Sequence, residues 1–236
     1  MKTLPEVMTA LEKKGSAQTR KIYSNHGAPE EIFGVKVGDM KPIAKSIKGN
    51  QELALELYET GNGDAMYLAG MVADGSLMTK KQLDQWCKSA GWYMISEYSV
   101  PGVTCENESA RDLALKWIKS KTESVAAAGW CTYAGLLATR DDSELDQKEI
   151  RELLSKIEKE IQAAKNRVRY TMNGFVISVG TYVKPLLKAS KQTAKKIGIV
   201  ECEMGNTACK VPLATTYIEK VEQRGTVGKK RKTIKC

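Results

Sequence analysis

At 236 residues and 26.0 kDa, with 42% apolar and 28% charged residues, the chain can build a large core and is too apolar to be disordered throughout. No apolar run approaches the roughly 18–20 residues that span a bilayer, and no hydrophobic leader opens the sequence, so a cytoplasmic protein without membrane contact is expected. The net charge of +9 is local: residues 1–183 carry 24 Lys+Arg against 24 Asp+Glu, whereas 184–236 carry 13 against 4, an excess equal to the whole net charge. A segregated excess that ends in Lys229, Lys230, Arg231 and Lys232 points to a polyanionic partner.

Helical periodicity runs through most of the chain. Asp39 is placed to cap a helix with Ile43, Ala44 and Ile47 on one face, and Asn50 one with Leu53, Ala54, Leu57 and Tyr58, ended by Gly61. Asp64 reads as the start of a third, with Leu68, Met71 and Val72 inward and Gly75 as its stop. Thr79 and Gln82 form a capping box ahead of Leu83, Trp86, Cys87 and Ala90. Asn107 opens a helix carrying Ala110, Leu113, Ala114, Trp117 and Ile118.

From Val125 to Ala138 the residues are apolar nearly all round, which predicts a helix buried between neighbours. The next, 147–164, has one apolar stripe (Ile150, Leu153, Leu154, Ile157, Ile161) and charge pairs four apart, the pattern of an outer layer. Two more follow near 167–182 and 185–196, the first capped at or near Asn166. Eleven or twelve helices joined by short Gly, Asp and Asn turns fit an all-α protein, either a degenerate HEAT-like stack of helix pairs or a plain helical bundle, in a single domain over 1–236.

One segment breaks the pattern. Residues 199–204 alternate, Gly205-Asn206 is a primed-turn dipeptide, and 207–211 alternate back before Pro212. A β-hairpin at 199–211 is expected, in which a two-residue loop sets Glu201 opposite Lys210 and Cys202 opposite Cys209. A basic tail at 225–236 follows. The six cysteines lack any CxxC spacing and the one histidine, His26, lies in a polar stretch, so reduced thiols and neither metal nor cofactor are expected. Trp86, Trp117 and Trp130 fall on apolar faces and read as core.

Five features together resemble the DNA alkylation repair family, HEAT-like-repeat proteins that include alkylpurine DNA glycosylases. They are Gly34-Val35-Lys36-Val37 before a helix; Trp92-Tyr93 before Val100-Pro101; the stretch from Asn166 to Tyr170 with Asn173; the Gly205-x-Thr207-x-Cys209-Lys210 segment; and Gly228 through Cys236. The resemblance implies a right-handed solenoid whose basic concave face cradles DNA. In active members it implies excision of N3- or N7-alkylated purines by an aromatic pair, an aspartate, an arginine and a later tryptophan. Here the aromatic pair falls on Trp92 and Tyr93 and the aspartate position on Glu97, while the arginine position falls among Ala128 and Gly129 and the tryptophan position on Gly174 or Phe175.

Breaking an N-glycosidic bond builds positive charge on the sugar, which a carboxylate can stabilise while it orients water. Glu97, one α-helical turn beyond Tyr93, is the candidate for that role, beside rings suited to a cationic base. Arg167, Arg169, Tyr170 and Asn173 share a helix and suit phosphate and sugar contacts; Lys210, Lys229, Lys230, Arg231 and Lys232 extend the basic set. The leading expectation is a protein that recognises damaged, distorted or branched DNA. The alternatives are an active glycosylase that uses Glu97, and a protein-binding HEAT scaffold.

Overall fold

Helix starts are set by side chains that satisfy the first backbone N–H groups. Ser16, Asn50, Asn62, Thr79 and Asp146 each accept a backbone N–H two or three residues ahead, and Thr79 completes the capping box with Gln82. The computed structural model describes residues 3–235, with thirteen α-helices and no strand among the described residues. They gather into two compact units: residues up to 109 with 204–208 and Lys235, and residues 110–203 with 209–234.

The first unit contains α1 (Leu4–Lys14), α2 (Ala17–Asn25), α3 (Val37–Ser46), α4 (Gln51–Glu59), α5 (Gly63–Val72), α6 (Lys80–Ser89) and α7 (Val100–Thr104). Leu53, Ala54, Leu57 and Tyr58 on α4 and Leu83, Trp86 and Cys87 on α6 are buried as their spacing predicts, and the Tyr58 and Trp86 rings stack 3.7 Å apart. Two expected caps are not caps. Asp39 lies within the first turn of α3, where Lys36 is the N-cap, and α5 is capped by Asn62. Asp64 is fully buried instead, its carboxylate accepting the N–H groups of Phe33, Gly34 and Val35 at 2.6, 2.9 and 3.1 Å, which fastens that connection. Burial holds this carboxyl above its ordinary value, partly offset by the three N–H donors.

The second unit contains α8 (Ala110–Ile118), α9 (Glu123–Thr139), α10 (Gln147–Glu160), α11 (Asn166–Tyr182), α12 (Leu187–Ile197) and α13 (Ala214–Gln223). Helix α9, apolar all round, packs against both α8 and α11. Trp130 and Phe175 meet edge to face with centroids 5.2 Å apart and are fully buried, each side chain worth about 2–3 kcal/mol of transfer free energy. On α10, Ile150, Leu153, Leu154 and Ile157 face inward, while Lys156 pairs with Glu160 outside.

The expected β-hairpin does not form. Residues 199–213 are irregular in the described structure. Asn166 donates from Nδ2 to the Glu203 carbonyl (2.9 Å) and accepts the Glu203 N–H (2.7 Å), and Asn173 Nδ2 donates to the Pro212 carbonyl (2.9 Å). The Gly205-Asn206 turn packs on the end of α2: Asn206 N–H donates to the Asn25 carbonyl, and a Cβ on Gly205 would lie 2.1 Å from that oxygen. The expected facing of Glu201 with Lys210 and of Cys202 with Cys209 therefore falls with the ladder.

Candidate nucleic-acid interface

Trp92, Tyr93 and Glu97 belong to the first unit. Residues Ile95–Ser99 form a π-helical turn, which needs about one more residue per turn than α-helix. The partner of Tyr93 one turn on is consequently Tyr98, five residues along, with rings 6.4 Å apart, whereas an α-helical period selects Glu97, four along. Tyr98 is 47% exposed, while Glu97 and Trp92 are buried. Tyr23 (5.3 Å from Trp92) and His26 (6.2 Å from Tyr93) complete an aromatic cluster beside the Gly205 turn. The Trp92 indole N–H is buried without a hydrogen-bond partner. Sequence reasoning missed Tyr23 and Tyr98, since a π turn leaves no signature in a 3.6-residue period.

The positions that the resemblance assigns to an arginine and a tryptophan lie in the second unit, and both are used for packing. Ala128 is fully buried, and a Cβ on Gly129 would lie 2.5 Å from the Ile118 nitrogen and 2.9 Å from the Ala114 carbonyl oxygen, so α8 leaves no space for a side chain. Phe175 is fully buried between Trp130 and Tyr133, and Gly174 carries no side chain. The carboxylate on α10 nearest this core is also occupied: Glu149 accepts from Tyr133 Oη and from two Arg111 nitrogens.

The basic candidates separate into committed and available groups. Arg167 lies over the Tyr170 ring at 4.4 Å, a cation–π contact, and its backbone N–H is capped by Glu123. Arg169 is half-buried with Nε unpartnered; Asn173 is buried, its Nδ2 on Pro212 and its Oδ1 unpartnered. Lys210 is exposed in the irregular segment.

In the tail, Gly228 N–H donates to the Thr181 carbonyl and Arg231 N–H to the Ala138 carbonyl, which lays this stretch on the ends of α11 and α9. Lys230 donates to the Leu137 carbonyl (2.9 Å) and pairs with Asp142 (2.8 Å), satisfying an orphan acceptor at the negative end of α9. Lys235 does the same in the first unit, bonding the Ala73 carbonyl after α5 and Glu106 at 2.6 Å. Lys229, Arg231 and Lys232 are exposed, so they remain for a partner while Lys230 is spent on the fold. Cys236 lies outside the described residues.

Among the described residues no cluster of three or more His, Cys, Asp or Glu could hold a metal ion, and no helix is long and apolar enough to cross a membrane.

The model of the DNA alkylation repair enzyme family matches residues 7–189. The uncharacterized protein Lin0241 of Listeria innocua is 32% identical over 230 residues, covering 95% of this chain and 99% of its own length; the uncharacterized protein Lmo0209 of Listeria monocytogenes gives the same values. A solved structure described as a new family of proteins related to the HEAT-like repeat DNA glycosylases with affinity for branched DNA structures is 41% identical, with full coverage of both chains and a TM-score of 0.92. The family model spans most of the chain and the HEAT-like helical architecture agrees, and the chain belongs to the DNA alkylation repair enzyme family.

Proposed function

We propose that this protein binds DNA, with preference for branched or distorted forms, through basic groups of the C-terminal quarter and the α11 face, and that it does not excise alkylated bases. The observation that carries the second half is the seam between α8 and α9: at Gly129 the neighbouring backbone stands 2.5 Å from where a Cβ would be, so no phosphate-clamping arginine is available from this position. Glu97 is buried in a π turn whose register brings the Tyr98 ring to Tyr93. A reacting carboxylate must be held to within a fraction of an ångström, and a glutamate in place of an aspartate is already one methylene longer.

For binding, the support is Arg167 stacked on Tyr170, the half-buried Arg169 and the exposed Lys229, Arg231 and Lys232. The similar solved protein with affinity for branched DNA supports the choice of ligand. A single HEAT-like domain over 1–236, a cytoplasmic location and a reduced state for the thiols belong to the same proposal. Gel mobility of linear duplex, three-way and four-way junctions of equal length, at two salt concentrations, tests it. Tighter junction binding that weakens with salt is expected; equal, salt-insensitive binding to all three forms contradicts it.

A further inference from the structure

Helix α12 carries a second basic surface. Lys188, Lys191 and Lys195 recur at intervals of three and four residues, which places them within about 60° of one another on one face and spreads them over about 10 Å at 1.5 Å per residue, and Lys184 lies just ahead of the helix. The opposite face carries the buried Leu186, Ser190, Thr193, Ala194 and Ile197. No acidic residue lies in α12, whereas on the other outer helix, α10, basic and acidic residues alternate in sign.

Lys191 is neutralised by Glu222 (2.7 Å), which with Glu219 forms the α13 side of a shallow groove. Lys188 and Lys195 line the α12 crest of the same groove and, with Lys184 ahead of the helix, are exposed with no ion-pair partner among the described residues. The crest does not stop at the start of the helix. A Cβ on Gly228 would stand 3.4 Å from that of Lys184, and the next residue is Lys229, followed by exposed Arg231 and Lys232. All six cations belong to one compact unit.

We infer that Lys195, Lys188 and Lys184, continued by Lys229, Arg231 and Lys232, form a phosphate track for one duplex arm of a branched DNA, separate from the α11 face. The inference rests on the DNA-binding reading above and adds a second binding region to it. A run of cations along a helix follows a nucleic-acid backbone, whose charge repeats every few ångströms, better than it fits a small anion, which engages one or two of them. An arm lying there also explains a preference for branched DNA, because a linear duplex engages one region and a junction engages two.

The test compares wild type, the triple variant K184Q/K188Q/K195Q and the control K148Q/R151Q/K159Q, which removes equal charge from exposed positions of α10. Affinities for a four-way junction and a linear duplex are measured against salt, with Tm as the folding check. The α12 variant is expected to keep its Tm, to lose at least about tenfold in junction affinity, and to shed about 2–3 from the log–log salt slope, near 0.9 for each phosphate no longer neutralised. Duplex binding and the control should change little. Junction binding by wild type that the α12 and control variants reduce equally, or not at all, overturns the track and leaves the DNA-binding reading standing. Absence of junction binding by wild type overturns both. Binding of the α12 surface to anionic vesicles or an acidic peptide with no effect on DNA overturns the assignment to nucleic acid.

Discussion

The segment around Trp92 to Tyr98 and the basic surface from α11 to the tail both carry site residues expected from the sequence, yet the fold treats them in opposite ways. In the first, Trp92 and Glu97 are buried and half-buried Tyr93 meets the rings of His26, Trp92 and Tyr98. In the second, Lys229, Arg231 and Lys232 stand in solvent, while Lys230 and Lys235 bond backbone carbonyls. Groups suited to chemistry on a base are invested in packing, and groups suited to phosphate are left for a partner. The contrast separates two properties that family membership alone runs together, affinity for DNA and cleavage of it.

The strongest way to break this contrast is at the α8–α9 seam. Gly129→Arg, which installs the residue that the family resemblance places here, should prevent folding or cost at least about 3 kcal/mol, because both helices must part; Gly129→Ala should cost about 1–3 kcal/mol by urea unfolding. A stable Gly129→Arg protein that releases methylated bases would show the seam to be a vestigial active site. Within the tail, Lys230→Ala should lower stability by about 1–2 kcal/mol, since the Leu137 carbonyl and Asp142 lose their partner. Substituting Lys229, Arg231 and Lys232 together by Gln should leave stability within about 0.5 kcal/mol and lower DNA affinity at least about tenfold. The smallest effect is expected at Tyr98→Ala: a loss of about 0.5–1.5 kcal/mol from one exposed ring pair, read by thermal unfolding.

Much of the fold is legible in the sequence because caps and apolar stripes are local. Thr79 with Gln82, Asn50, and the stripe from Ile150 to Ile161 act as their spacing predicts, and α9 is buried because no side of it is polar. Local signals mislead where a distant group engages a local one. Glycine and asparagine at 205–206 flanked by alternating residues is a sound hairpin signal, but the fold seats this turn on the end of α2, where the Asn206 N–H donates to the Asn25 carbonyl. Asp64 resembles a cap because an acidic side chain at a helix start usually is one, and only the fold brings the 33–35 backbone to it. Of the candidate site, the charge segregation is readable from composition, whereas the division between Lys230 and its neighbours depends on where α9 ends. The π turn at Ile95–Ser99 has no periodic trace, so a 3.6-residue period passes over Tyr98.

The central claim is that binding is retained and excision is not. One preparation, assayed for four-way-junction affinity across salt concentrations and for release of 3-methyladenine and 7-methylguanine from methylated DNA, tests it most directly. The account predicts salt-sensitive junction binding tighter than duplex binding, and no base release above the uncatalysed background. Enzymatic release of methylated bases that Glu97→Gln abolishes would contradict it.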